Sequence, residues 1–247
     1  MTDSALTESS FWDLPPDADV VRSGAYELTL VRPGVPTDAS GLPVHDPVAA
    51  RRFAESFGTI DTVLEDLGTV PATDDASAGT RADLERVRVG CWGGVTEITD
   101  PGLVQCNGSY PVEAEAESLA ERFPDAVIIA SCTVDYELTY GAYKIIHPDG
   151  VRLFAAGWYA TSEEYWDVEG SPADVAAAFG ITASELSDAY VDLDAAAHVF
   201  SWEGLCRLAL QKVAPLDHTG RVTSLFRVRH TEDATGRMEE MWLEEEE

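Results

Sequence analysis

The sequence predicts an α+β fold, and three observations lead there. Short runs with period-two alternation are interleaved with segments whose apolar residues recur at helical spacing. The helical segments carry caps and breakers at their ends. The apolar share is 45%, so a chain of 247 residues has enough to build a sizeable core.

Residues 25–31 (AYELTLV) read as a strand with Tyr26, Leu28 and Leu30 on one face. Residues 33–47 are rich in Pro, Gly and Asp and read as a loop. Asp46 then caps a helix with Pro47 at its first position. Ala49, Phe53 and Phe57 form its stripe, and Gly58 ends it. Thr59 opens an expected second short helix, with Ile60, Val63, Leu64 and Leu67 inward and Gly68 as its stop. Residues 70–82 (VPATDDASAGTRA) hold little to bury and read as a linker.

Residues 85–92 predict a strand ending at Gly93-Gly94, and 103–107 a further short strand. Val112, Ala116, Leu119, Ala120 and Phe123 predict a helix between Pro111 and Pro124. Residues 126–133 (AVIIASCT) predict a central strand. Strands over 136–146 and 151–159 are joined by an Asp149-Gly150 hairpin turn. Ser171-Pro172 opens a helix through Phe179, and Thr182-x-x-Glu185 is a capping box for the next. Ser201 caps a helix with Leu205, Leu208 and Leu210. Residues 222–230 and 237–243 predict two strands around Thr235-Gly236. The resulting units are an acidic arm at 1–20 in which Phe11, Trp12 and Leu14 can dock, an αβ unit at 21–69, the linker, an α+β unit at 83–170, a helical and hairpin segment at 171–243, and an acidic tail at 244–247.

Charge narrows the function. The chain has 45 Asp and Glu against 16 Lys and Arg, a net of −29, and only two lysines, Lys144 and Lys212. Carboxylates hold water and cations well, so this composition reads as adaptation to a salt-rich cell. At molar salt, screening over about 3 Å removes most of the self-repulsion. A polyanion is repelled by nucleic-acid phosphate and by anionic membranes, which argues against both as partners. No apolar run reaches the length of a membrane span, and residues 1–19 lack the basic and apolar regions of a secretory leader. Cys91, Cys106, Cys132 and Cys206 form no C-x-x-C pair. They read as buried thiols of a cytoplasmic protein.

Residues 174–189 have the spacing of a helix-turn-helix, but the second helix offers Ser184, Glu185, Ser187 and Asp188 and no base. A packing corner is the simpler reading. Asp135 and Glu137 lie two apart on a predicted strand and share one face, which suits acid–base work or a metal, though among 45 carboxylates a solvated strand face is the simpler reading. Cys132 and His147 form a nucleophile pair only if neighbouring strands align them. No HExxH, P-loop, GxSxG or dinucleotide fingerprint occurs, so no catalytic, cofactor or metal residue is assigned. Trp158, Tyr159, Tyr165 and Trp166 are the candidate interaction surface, beside Glu163 and Glu164.

Trp92-Gly93, then Leu119-Ala120-Glu121-Arg122-Phe123-Pro124-Asp125, then Asp135-Tyr136-Glu137 through Gly141 carry a resemblance. The stretch 89–157 is similar to the ferredoxin-like domain of YubB-like proteins of phages and plasmids. Residues 26–57 match that family's opening strand–loop–helix. The resemblance implies a ferredoxin-like antiparallel sheet with packed helices, and an origin in a mobile element. The leading expectation is a non-enzymatic accessory protein of a halophile's virus or plasmid, acting through contacts with a protein partner. A DNA mimic that inhibits a restriction or defence enzyme, a helix-turn-helix regulator, and an enzyme built on Cys132 or the Asp135/Glu137 pair are the alternatives.

Overall fold

Strand β1 (Ser23–Val31) occupies the middle of a large antiparallel sheet. A computed structural model describes residues 14–35, 41–74, 76–105, 108–135, 137–214 and 217–243. Phe11, Trp12, Cys106, Tyr136 and the tail at 244–247, each singled out above, lie outside them.

The other strands are β2 (Ile60–Pro71), β3 (Arg86–Trp92), β4 (Val95–Thr99), β5 (Val127–Asp135), β6 (Thr139–Ile146), β7 (Arg152–Trp158), β8 (Trp166–Glu169) and β9 (Val222–His230). Among the described residues they form one sheet in the order β2-β9-β3-β4-β1-β5-β6-β7-β8, antiparallel at every pairing. β1 comes from the expected 21–69 unit, yet it stands between β4 and β5 of the 83–170 unit. β2 pairs with β9 near the C-terminus. The segments read as separate units thus share a single sheet.

Two helical layers cover it. On one face lie α1 (Pro47–Ala54), α2 (Pro111–Arg122) and α6 (Glu232–Trp242), over Tyr26, Leu28, Leu30, Ile98, Ile128, Cys132 and Phe226. Asp46 caps α1 as the sequence predicts, accepting from the Val48 and Ala49 amides at 2.9 and 3.0 Å. Lys144 reaches from β6 to Glu113 and Glu117 of α2 at 2.7 and 2.9 Å. On the other face, α3 (Pro172–Ala178), α4 (Ala183–Asp188) and α5 (Trp202–Val213) build a second core with Trp92, Val95, Ile129, Tyr143, Leu153 and Trp166. The Thr182–Glu185 capping box is present. Ser201 precedes α5 as expected but makes no side-chain cap bond. The helix-turn-helix spacing belongs to α3, the turn after it and α4; Val175 and Ala176 of α3 and Phe179 and Ile181 of the turn are buried in this core.

Three expected elements differ. The expected helix after Thr59 is the edge strand β2. Its pairing with β9 slips at Ile60/Thr62, Val63/Glu65 and Asp66/Thr69. Each bulge inserts a residue and breaks the period of two. Ile60 and Val63 are therefore both buried while Leu64 and Leu67 stay exposed, which mimics helical spacing. The expected strand at 237–243 is the end of helix α6, capped by Thr231. Ala234, Met238 and Trp242 recur every four residues and are buried. Their burial outweighs the roughly 1 kcal/mol that Gly236 costs inside a helix. The expected strand at 103–107 begins with a 3-10 turn, Pro101–Leu103, because Asp100 accepts from the Gly102 amide at 2.7 Å and bends the chain. β4 and β8 had no counterpart in the sequence reading.

Candidate functional site

Alternation along β1 puts Tyr26, Leu28 and Leu30 under α1 and α2, so Ala25, Glu27 and Thr29 point to the opposite face. There the covering is uneven. α3 and α5 seal one end of the sheet, where Val31, Val95, Val127 and Ile129 lie. The other end has a polar floor and is open. Two adjoining hollows, of about 280 Å³ and about 420 Å³, share Ala25 and Glu27 as floor. The first lies under loop residues Ala72, Asp74, Ala76 and Ser77. The second lies under Glu203, Cys206, Arg207 and Leu210 of α5.

The stretch read as a linker is thus one wall of a cleft. Tyr26 fastens it: the phenolic oxygen accepts from the Ala78 amide at 3.1 Å and donates to the Ala76 carbonyl at 3.2 Å. Arg88 of β3 donates to the Asp74 carbonyl at 2.7 Å.

Register assembles the chemistry on the floor. Thr29 lies opposite Glu97, and Glu27 opposite Thr99, so Glu27 and Glu97 are diagonal neighbours on one face. Glu97 lies opposite Gly90 of β3. A Cβ on Gly90 would stand 2.2 Å from the Trp92 ring, which lies across it, so only glycine fits. The edge of Trp92 meets His218 at 6.0 Å between centroids. His218 Nε2 donates to both oxygens of Glu97, at 3.2 and 3.1 Å.

The electrostatics single out Glu27. It is open to water, yet the walls of the cleft crowd it, so much of the solvent that would stabilise its charge is displaced. That crowding first, and then the charges of Glu97 and Glu203, push its carboxyl up to about 7, against a smaller opposing pull from His218. His218 is raised above the usual imidazole value by its hydrogen bond to Glu97, which outweighs burial.

None of the catalytic alternatives weighed on the sequence is assembled. Cys132 lies opposite Ala142, whereas His147 follows Ile146, which lies opposite Ile128. That is a separation of about five strand residues, roughly 17 Å. His147 packs on Phe179 at 5.0 Å, beyond the end of the pairing. Burial pushes the Cys132 thiol up to about 12. Asp135 ends β5 and accepts from Ser23 and Thr139, each at 3.1 Å, while Glu137 lies in the exposed turn beyond. The two carboxylates do not share a strand face.

Trp158, Tyr159, Tyr165 and Trp166 do not form one exposed surface. Trp166 is buried and stacks on Trp202 at 5.8 Å. Tyr159 packs its ring on Trp166 at 5.1 Å and shares a hydrogen bond with Tyr143 at 3.0 Å. Trp158 meets the edge of Tyr140 on the other face of the sheet. Tyr165 alone of the four projects into solvent.

A second buried cluster is structural. His230 Nε2 donates to Asp100 at 2.8 Å, and Thr59 also donates to that carboxylate. Both the His230 and Asp100 side chains are wholly inaccessible. With Arg237 bonded to the Gly102 and Val104 carbonyls, this clamp holds the turn after β4 against α6.

Sequence reasoning missed Glu27, Glu97 and His218. The available signal was a charged residue in the middle of each of two short, otherwise apolar or β-branched strands, AYELTLV and VTEIT. Among the described residues no group of three or more His, Cys, Asp or Glu is arranged to hold a metal ion. No helix is long and apolar enough to cross a membrane. No curated protein and no solved structure is significantly similar to the chain. One family model matches, over residues 11–245, and its description is a family of unknown function. That match spans nearly all of the sequence, and the chain therefore belongs to the DUF6333 family.

Proposed function

We propose that the protein binds a polar small molecule in the cleft between α5 and loop residues Ala72, Asp74, Ala76 and Ser77, and that Glu27 exchanges a proton with it. One observation carries this reading: a carboxyl open to solvent on a cleft floor, held near neutrality by crowding and like charge. A group with acid strength near the working pH is the effective general acid or base. Glu97, hydrogen-bonded to His218, is its neighbour on the floor and stands ready to orient the bound molecule. Carbon-detected NMR of the side-chain carboxyls tests it. Glu27 is expected to titrate clearly above the ordinary carboxylate range, and titration within that range, about 4, refutes the assignment.

A second reading retains the resemblance. The elements β1, α1, β3, β4, α2 and β5, with β2 inserted between α1 and β3, have the strand order β3-β4-β1-β5 and α1 and α2 on one face, which supports a ferredoxin-like unit. This unit draws its first strand and helix from the N-terminal part, outside the 83–170 bounds drawn from sequence. An accessory protein of a mobile element, working in a salt-rich cytoplasm through protein contacts, is compatible with that unit. Exposed carboxylates on α2, the β6–β7 turn and α4 support salt adaptation over a one-faced DNA mimic. Circular dichroism melts across a KCl series test it. Cooperative folding that needs molar salt favours adaptation, and a stable fold at low salt removes that argument.

A further inference from the structure

The charge around Glu27 is unbalanced, and the inference that follows rests on the cleft reading above. His218 is engaged by Glu97 and Arg88 by the Asp74 carbonyl. Glu27 on the floor and Glu203 on α5 form no ion pair with a described residue, and Arg207 stands on the α5 wall without a partner among them. The floor therefore has more anionic than cationic groups free to meet a ligand.

An independent observation lies at the other end of the floor. Thr223 of β9 lines the Glu97 half, is 4% exposed, and its hydroxyl has no hydrogen-bond partner among the described residues. Val89 lies opposite Ser224, so Thr223 is the neighbour of Gly90, which in turn lies opposite Glu97. Across the sheet the floor runs Thr223, Gly90, Glu97 and then β1. That row meets β1 at Thr29, two residues from Glu27; at roughly 4.8 Å per strand and 3.4 Å per residue, Thr223 and Glu27 are about 16 Å apart at the backbone. Gly90 itself carries no side chain, but the Trp92 ring lies across it, so the hollow that joins them runs beside that ring, along Thr99 and Arg88. A buried hydroxyl without a partner is expensive, and a ligand donor would satisfy it.

We propose that the cleft takes an extended organic cation with amine groups, one ammonium meeting Glu27 and a further N–H reaching the Thr223 hydroxyl past Gly90. Recognition is by carboxylate at one end and hydroxyl at the other, with Glu97 alongside the chain between them.

The test is an amide-resolved NMR titration of the full chain with three probes of similar length: spermidine, triethylene glycol and suberate. Spermidine is expected to shift the amides of Glu27, Glu97 and Thr223 in a saturable way. Glu27→Gln is expected to weaken that binding about tenfold, and Thr223→Val several-fold. Glu121→Gln, on the exposed side of α2, is expected to change nothing, which separates the cleft from general attraction to an acidic surface. Shifts spread over the whole surface and insensitive to Glu27→Gln overturn the proposal. Saturable cleft shifts with triethylene glycol or suberate and none with spermidine also overturn it, while the cleft reading stands. No cleft shift with any probe, together with a Glu27 carboxyl titrating at its ordinary value, removes both.

Discussion

Replacing Glu27 by glutamine should stabilise the protein, and only above a definite pH. The wild-type carboxyl rises from 4.5 to about 7 on folding. At about 1.36 kcal/mol per pH unit that sets a ceiling of about 3.4 kcal/mol. Glu27 is open to water, so solvent screening removes more than half of it, leaving about 1–1.5 kcal/mol. The sign follows from the raised folded value. Below about pH 4.5 the carboxyl is protonated in both states and contributes no difference. Between 4.5 and 7 the folded protein keeps a proton that the unfolded chain gives up, so stability falls as pH rises. Above 7 the folded protein carries a charge that Glu97, Glu203 and the cleft walls disfavour. Glutamine keeps the shape without that charge. Urea unfolding of both proteins across pH gives the difference directly. Glu27→Gln minus wild type should be flat and near zero in acid, climb as pH rises above about 4.5, and level at about 1–1.5 kcal/mol in favour of the variant. A variant no more stable at about pH 8, or a difference with no pH dependence, refutes the argument. A residue that weakens the fold where it stands is what a functional position looks like.

Three further outcomes follow from the packing. Asp100→Ala removes the acceptor for His230, Thr59 and the Gly102 amide at a wholly buried site, and should cost about 3–5 kcal/mol, read as a fall in Tm of roughly 6–20 °C. Burial alone would raise the Asp100 carboxyl, but His230 and the hydrogen bonds hold it below the usual range. The clamp's contribution is therefore present above about pH 4 and is lost as pH falls through the depressed value. Cys91, Cys132 and Cys206 are buried, with thiols raised to between about 11 and about 12. Peptide mapping should find them unmodified by iodoacetamide in the native protein and fully alkylated in urea. Rapid native labelling of Cys132 would restore it as a candidate nucleophile. Thr182→Ala deletes the side-chain acceptor for the Glu185 amide and should cost about 1 kcal/mol in urea unfolding.

Much of the architecture was legible because local chemistry decides it. The Asp46 cap with Pro47, the Thr182–Glu185 box, the Pro111–Pro124 helix and the Asp149-Gly150 turn each satisfy their own backbone donors or φ angles within a few residues. The alternation of Tyr26, Leu28 and Leu30 likewise states which face of β1 is apolar. Where the reading failed, distant partners decided. The bulges of β2 exist only through pairing with β9, some 160 residues away, and they disguise a strand as a helix. Helix α6 forms at 232–242 because Met238 and Trp242 have a sheet to bury against. Trp158 and Trp166 look alike in sequence but pack on opposite faces of the sheet.

The sequence by itself determined a mixed α+β chain with an ample core, a heavy excess of carboxylates and most of its helix boundaries. Tertiary structure alone decided the cleft. Glu27, Glu97 and His218 belong to β1, β4 and the turn before β9, and each by itself is an ordinary polar residue. Sheet register makes the two carboxyls neighbours, loop residues Ala72, Asp74, Ala76 and Ser77 and helix α5 displace the water above them, and that displacement, together with like charge, turns a routine strand glutamate into a group poised near neutrality. The acid strength of a carboxyl depends on what surrounds it in space, and only the folded chain specifies those surroundings.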